Sequence, residues 1–193
     1  LPSFSCICVT GGRTSFLEEA ISCFVRQSYE GESELIILNT CPEQQLELGN
    51  GYDNVRIVNL RERPKSLGDA RNIAITFAQN DWCVTFDDDD IYLPNHLSNF
   101  AKHADGNDWL WMTRQFYVVS WQIKSIVQGS ANVLAFTKAA WETAGGYRSM
   151  NCGEDRDLVG RITAQSKGKR IDLADDEISF LYAWGQGSVY HQS

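Results

Sequence analysis

Apolar residues in the first hundred positions alternate between short continuous runs and sets with helical spacing. The continuous runs predict buried strands over residues 4–9, 34–39, 55–60 and 82–86. A helix is predicted after the first run, where Ser15-x-x-Glu18 forms a capping-box pattern. Further helices are predicted over 68–79 and after Pro94, which suits a first helical turn. Strands and helices alternating in this order predict an α/β fold with a mainly parallel sheet.

The second half of the chain has a different pattern. Residues 109–121 are aromatic and strand-like, and a mixed stretch follows. Helices are predicted over 137–144 and 154–165, and a final strand over 178–183. No repeat or linker interrupts the sequence, so we predict one domain over 1–193. Its ligand cleft is expected at the strand ends, where open α/β sheets bind ligands.

Composition narrows the class of protein. The 193 residues contain 17 Lys and Arg against 25 Asp and Glu, giving a net charge of −8 that disfavours an extended nucleic-acid surface. No apolar run reaches the roughly 18 residues that span a bilayer, so no transmembrane segment is expected. The six cysteines lie mostly in apolar runs without metal-site spacing, and we interpret them as reduced, buried thiols of a cytoplasmic protein.

The most informative feature is a run of four aspartates, residues 87–90, directly after a predicted strand; we call it the acid loop. Four neighbouring carboxylates repel one another, and a divalent cation with oxygen ligands is the simplest offset. A solvated acidic turn is the alternative. An EF-hand is excluded because Tyr92 stands at the sixth position, where glycine is needed.

Two further segments suggest chemistry. Glu154 and Asp155 open a predicted helix, where acids often only complement the helix dipole, yet one of them could take a proton from an attacking hydroxyl. Arg71 lies in a predicted helix with Gly68 at its start, and it could face a phosphate, stabilise the acid loop or simply lie on the surface.

The ordered set of motifs resembles inverting family 2 glycosyltransferases of the GT-A fold. The matching segments run over nearly the whole chain: Val9-Thr10, Ala20-Ile-Ser, Gln27-Ser-Tyr29, Gly68-x-Ala70-Arg71-Asn72, Phe86-Asp-Asp-Asp-Asp-Ile-Tyr-Leu-Pro94, Gly145-Gly-Tyr147 and Glu154-Asp155. The resemblance implies a mainly parallel, Rossmann-like mixed sheet flanked by helices, with a nucleotide-binding half (1–100) and an acceptor-binding half (101–193). It also implies sugar transfer from a nucleotide sugar, commonly a UDP-sugar, with Mn²⁺ or Mg²⁺ and inversion at the anomeric carbon.

The resemblance also assigns roles by position. It makes Asp155 the general base, with Glu154 as a substitute or helper, and Asp89 a metal ligand whose shell His191 could complete. Nucleotide and sugar contacts are assigned to the remaining matched positions, namely Thr10, Gly11, Arg13, Asn39, Gly68, Arg71, Asp87 and Asp88.

The roles of Asn39 and of an aromatic cluster remain open, and two other functions remain as alternatives to sugar transfer. Asn39 stands where the family usually has an aspartate for the base, which makes uracil specificity less secure. An aromatic cluster either stacks on an acceptor or forms core: Trp109, Trp111, Phe116, Tyr117 and Trp121. A sugar nucleotidylyltransferase is an alternative, because Gly11-Gly12-Arg13 loosely resembles its glycine-rich loop, and so is a non-catalytic nucleotide-sugar or glycan-binding module. The acceptor could be a polysaccharide, a lipid-linked glycan, a protein or a modified nucleobase.

Overall fold

A computed structural model describes residues 1–49, 51–120, 122–129 and 133–183. The first half contains β1 Phe4–Thr10, α1 Thr14–Val25, β2 Ser33–Asn39, β3 Val55–Asn59, α2 Leu67–Thr76, β4 Trp82–Thr85, β5 Ile91–Tyr92 and α3 His96–Ala101. The second half contains β6 Trp109–Met112, β7 Arg114–Val119, β8 Gln122–Gln128, β9 Leu134–Thr137, α4 Lys138–Thr143, α5 Glu154–Gln165, β10 Gly168–Ile171 and β11 Phe180–Ala183.

Seven strands form one mixed sheet in the order β10-β6-β9-β4-β1-β2-β3. The four strands β1 to β4 are parallel, as are β10 and β6, while β9 is antiparallel to both of its neighbours. The predicted mainly parallel mixed sheet is therefore confirmed. Because β1 and β2 pair in register from Phe4 to Thr10, Thr10 lies beside Asn39 at the carboxyl ends of both strands.

Both faces of this sheet are covered, as expected for parallel strands made of continuous apolar runs. Along β1, Cys6 and Cys8 point into one core layer, and Ile7 and Val9 point into the other. The first layer contains buried residues of α1 and α3, and the second those of α2 and α5. Of the six cysteines, four are buried, whereas Cys41 is half-buried and Cys152 is exposed.

A second sheet, which the sequence did not predict, has the strand order β5-β11-β7-β8. Its β11 is parallel to β7 and antiparallel to β5, so it joins segments from both halves of the chain. This sheet lies next to the acid loop, because β5 begins at Ile91, directly after residue 90. Strand β10 was also missed, since only Ile171 of its four residues is buried.

Two predicted helix starts are wrong. Helix α1 begins at Thr14 with Arg13 as its N-cap, so Ser15 lies inside the helix and makes no capping bond. The hydroxyl of Thr10 instead accepts the N–H of Arg13 at 3.3 Å and closes the turn before the helix. Pro94 lies outside α3, which begins at His96 after the N-cap Asn95.

Candidate active site

The acid loop leaves β4 at the edge of the sheet where the parallel strands end, and hydrogen bonds between backbone N–H groups and side chains hold it at both ends. The N–H of Asp87 donates to the buried hydroxyl of Tyr92 at 2.6 Å. A carboxylate oxygen of Asp90 accepts the N–H of Ala183, at the end of β11, at 3.0 Å. The second sheet therefore fixes the path of the acid loop.

Arg13, from the turn after β1, neutralises the middle of the acid loop. Its guanidinium forms an ion pair with Asp88 and a second with Asp89 at 3.2 Å, and it lies over the ring of Phe16. Asp88 is 1% exposed, and burial raises its pKa to about 6 although Arg13 and the Thr10 hydroxyl both lower it. Burial, together with neighbouring Asp87, also raises the pKa of Asp89.

Arg71 joins the acid loop to the start of α5. This buried side chain is within 2.9 Å of Asp87, 3.6 Å of Glu154 and 3.4 Å of Asp155. The two acids that open α5 therefore lie beside the acid loop although more than 60 residues separate them in sequence. The sequence left three roles open for Arg71: a phosphate contact, a partner of the acid loop or a surface position. In the structure, Arg71 is buried and pairs with the acid loop.

Asp155 is the more accessible acid of the pair, with 14% of its side chain exposed against 6% for Glu154. Its Oδ1 atom is buried and has no hydrogen-bond partner among the described residues. Burial raises the pKa of Asp155 to about 7, opposed by Arg71 and by the nearby hydroxyl of Tyr147. A carboxyl group with this pKa exchanges protons near neutral pH, as a general base must.

The crowding of carboxylates does not by itself require a metal ion. We had expected a cation to offset their repulsion, but Arg13 and Arg71 already supply two positive charges at hydrogen-bond distance. Within the described ranges, no group of three His, Cys, Asp or Glu side chains is arranged to hold a metal ion. Two arginines that are distant in sequence therefore offset the repulsion among the aspartates.

The residues present nevertheless fit Mg²⁺ or Mn²⁺ bound together with a diphosphate. Asp87 and Asp89 keep 20% and 22% of their side chains exposed. Magnesium is usually held by one or two carboxylates plus substrate phosphates, rather than by a complete protein cage. The predicted ligand His191 lies outside the described residues.

Asn39 lies at the end of β2, fully buried. Its amide nitrogen donates to the carbonyl of Gln44 at 2.6 Å and to Oδ1 of Asn59 at 2.8 Å, while its Oδ1 accepts the N–H of Cys41 at 3.0 Å. These bonds hold the loop after β2 in place. A base contact by this amide would require some of them to break.

Gly68 lies where another part of the backbone passes close to α2. A Cβ at this position would be 1.9 Å from the carbonyl oxygen of Arg148, and the Gly68 N–H donates to the Met150 carbonyl at 3.0 Å. Gly68 thus accommodates the segment that leads into α5. Gly11 lies half-exposed in the turn between β1 and α1.

Sequence reasoning assigned no role to Asn72, yet this side chain also holds the segment before α5. Its Oδ1 accepts the N–H of Tyr147 at 2.8 Å and the indole N–H of Trp141 at 3.2 Å, and its amide donates to the Tyr147 carbonyl at 2.8 Å. The signal was available, because both Asn72 and Gly145-Gly146-Tyr147 belong to the recognised motifs. Helix α2 therefore positions α5 through Gly68, Arg71 and Asn72.

The predicted aromatic cluster divides in the structure. Trp109 is buried core, Trp111 is half-buried beneath the guanidinium of Arg170, and Phe116 packs on the core from the second sheet. Tyr117 pairs with the ring of Tyr182 instead. Trp121 lies outside the described residues.

The family model for glycosyl transferase family 2 matches residues 5–159. S. aureus TarS 1–349 in complex with UDP-GlcNAc has a similar structure, with a TM-score of 0.76 and 13% identity over 99% of this chain and 61% of that one. Mannosyltransferase PcManGT from Pyrobaculum calidifontis in complex with GDP-Man and Mn²⁺ gives a TM-score of 0.69 and 14% identity over 99% of this chain and 59% of that one. The chain therefore has the GT-A fold and spans about 60% of these neighbours.

No protein with a curated description matches the sequence. None of the helices in the described ranges combines the length and apolarity that crossing a membrane requires.

Proposed function

The chain belongs to glycosyl transferase family 2, and we propose that it transfers a sugar from a nucleotide-sugar donor to an acceptor hydroxyl with inversion at the anomeric carbon. One observation carries this proposal: buried Arg71 brings Asp155 and the acid loop into a single cluster at the strand ends. A proton acceptor and a diphosphate-binding loop close to one reaction centre are what a single displacement needs.

The proposed donor lies across the carboxyl ends of β1, β2 and β4. Thr10, Gly11 and Arg13 would contact the base and ribose, together with Asp88. Arg71 would hold Asp87 of the acid loop beside the diphosphate. The neighbours' complexes with UDP-GlcNAc and GDP-Man support a nucleoside diphosphate sugar as the donor class. We take a UDP-sugar as the first donor to test.

Asp89 would hold Mg²⁺ or Mn²⁺ with support from Asp87, and the PcManGT complex with Mn²⁺ favours such a metal. When bound, the ion would neutralise the negative charge that develops on the departing diphosphate. Arg13 now pairs with Asp89 at 3.2 Å and would have to release it.

Asp155 is the proposed base. Its carboxylate takes the proton from the acceptor hydroxyl as that oxygen bonds to the anomeric carbon, and the bond from this carbon to the diphosphate oxygen breaks. The nucleoside diphosphate leaves with the electron pair. Arg71 holds the Asp155 carboxylate at 3.4 Å, and 14% of the Asp155 side chain is exposed to an incoming hydroxyl.

Asp155→Asn tests the base assignment. The amide keeps the shape of the side chain but cannot take a proton, so turnover should fall by about 10²- to 10⁴-fold. The affinity for UDP with Mg²⁺, measured by calorimetry, should stay within about threefold. Asp157→Asn is the matched control on the same helix, because Asp157 pairs with Arg148 and Arg161 instead. Full turnover in the Asp155→Asn variant would refute the assignment.

A further inference from the structure

Two tyrosines lie side by side on the second sheet. Tyr182 of β11 and Tyr117 of β7 are direct partners in the parallel pairing, so their side chains share one face. Their ring centroids are 6.3 Å apart, with 37° between the ring planes. Together they present two adjacent aromatic rings.

Tyr182, one member of the pair, lies next to the acid loop. Ala183, the residue after Tyr182, donates its N–H to the carboxylate of Asp90 at 3.0 Å. Burial raises the pKa of Tyr182, and the carboxylates of Asp90, Asp89 and Asp87 raise it further. Tyr117 lies one strand farther from the acids.

The two rings continue an aromatic row from the core toward the surface. Two positions back along β11, Phe180 is 1% exposed and its partner Tyr92 on β5 is 2% exposed. Both tyrosines are half-buried: Tyr182 packs against the first core layer, whereas Tyr117 belongs to neither core layer. The next residue across the sheet is exposed Ser125, whose side chain is too small to cover the ring of Tyr117.

We propose that Tyr117 and Tyr182 form the acceptor subsite and bind the terminal ring of an uncharged saccharide acceptor by stacking. The C–H face of a sugar ring is apolar and packs on aromatic faces, while its hydroxyls point outward to polar groups. The neighbouring carboxylates and the net charge of −8 disfavour anionic acceptors. This inference rests on the proposed function, since it needs a transfer reaction at the acid loop.

The experiment titrates protein loaded with UDP and Mg²⁺ with neutral tetrasaccharides of glucose, mannose and galactose. The chemical shifts of the labelled tyrosine rings are followed by NMR. At least one saccharide should shift the Tyr117 and Tyr182 signals. Tyr117→Ala and Tyr182→Ala should each weaken that binding by about tenfold, while Tyr117→Phe and Tyr182→Phe should stay within about threefold because they keep the ring. Tyr52→Ala, which removes an exposed tyrosine just before β3, is the control and should bind as the wild type does.

Three results would overturn the subsite: no saccharide shifts the tyrosine signals, the alanine variants bind as tightly as the wild type, or the phenylalanine variants lose as much as the alanine variants. The melting temperature of each variant is recorded, so that a misfolded variant is recognised and the shifts of the wild-type tyrosine signals then decide. Failure of UDP with Mg²⁺ to bind the wild type would count against the proposed function. Normal UDP binding with any of the three results would count against the subsite alone.

Discussion

Replacing Gly68 with alanine should destabilise the protein, although alanine is the better helix former. Gly68 lies in the first turn of α2, where helix propensity alone predicts a gain of up to about 1 kcal/mol. The new Cβ, however, would lie 1.9 Å from the backbone carbonyl oxygen of Arg148, well inside the 3.0 Å that such contacts keep. A backbone carbonyl cannot rotate away as a flexible side chain can.

The size of the effect follows from what must move. The segment around Arg148 has to shift by about 1 Å to clear the methyl group, which costs overpacking strain. That shift strains two hydrogen bonds of 3.0 Å, from the Gly68 N–H to Met150 and from the Leu67 N–H to the side chain of Asn151. The two bonds cost about 1 kcal/mol each, and the overpacking strain of about 1 kcal/mol or more cancels the gain in helix propensity. The net loss is then about 2 kcal/mol, or a fall in Tm of about 4–8 °C.

The same shift should reduce activity, because the displaced segment leads into Asp155. A displacement of about 1 Å at a catalytic group can cost about 100-fold in turnover. Urea unfolding, calorimetric melting and nucleotide release from the donor measure these effects. Gly160→Ala is the matched control: Gly160 is an exposed position of α5 with no atom within 4 Å of the new methyl group, so this variant should gain about 0.5–1 kcal/mol.

A Gly68→Ala variant as stable as the wild type would refute the packing argument. Normal stability with much weaker UDP binding would instead return Gly68 to the role of a nucleotide contact.

Two further predictions concern buried polar groups. Asn39→Asp removes the hydrogen bonds that the amide donates to Gln44 and Asn59, and it places a carboxylate against two oxygen atoms. The free energy of unfolding, measured with urea, should fall by about 2–4 kcal/mol. Unchanged stability with tighter UDP binding would instead mean that residue 39 contacts the base. Burial raises the pKa of Asp88 to about 6 and that of Asp155 to about 7, above the roughly 3.9 of an unfolded aspartate, so the folded state binds protons more tightly. Stability should therefore rise by about 1–4 kcal/mol as the pH falls from about 8 to about 5. Urea titrations showing a fall in stability over this range would contradict the raised pKa values of the two aspartates.

The sequence predicted the elements that have strong periodicity. The four apolar strands and α5 were found almost to the residue, because buried parallel strands are continuous apolar runs and α5 has acids at its start. Strand β5 has only two residues and β10 only one buried residue, so neither carries a pattern that a sequence can show. The second sheet depends on β11 pairing with β7, more than 60 residues away, which local pattern does not determine.

The candidate site was predicted in its residue types but not in its internal contacts. The motifs identified the acid loop, Arg71 and Asp155, yet the pairing of Arg13 with Asp88 and the bridge made by Arg71 depend on which strand ends adjoin. Asn39 shows the same limit: its partner Asn59 is its neighbour across β2 and β3, and only the register places the two amides together.

The most direct test of the account is to identify the products of donor turnover. A panel of UDP- and GDP-sugars is incubated with the protein and Mg²⁺, and phosphorus and proton NMR follow the phosphates and the anomeric proton. The account predicts release of a nucleoside diphosphate and a transferred or hydrolysed sugar that first appears with the opposite anomeric configuration. Release of pyrophosphate would show a nucleotidylyltransferase, unchanged bound donor would show a binding module, and retained configuration would contradict the single displacement.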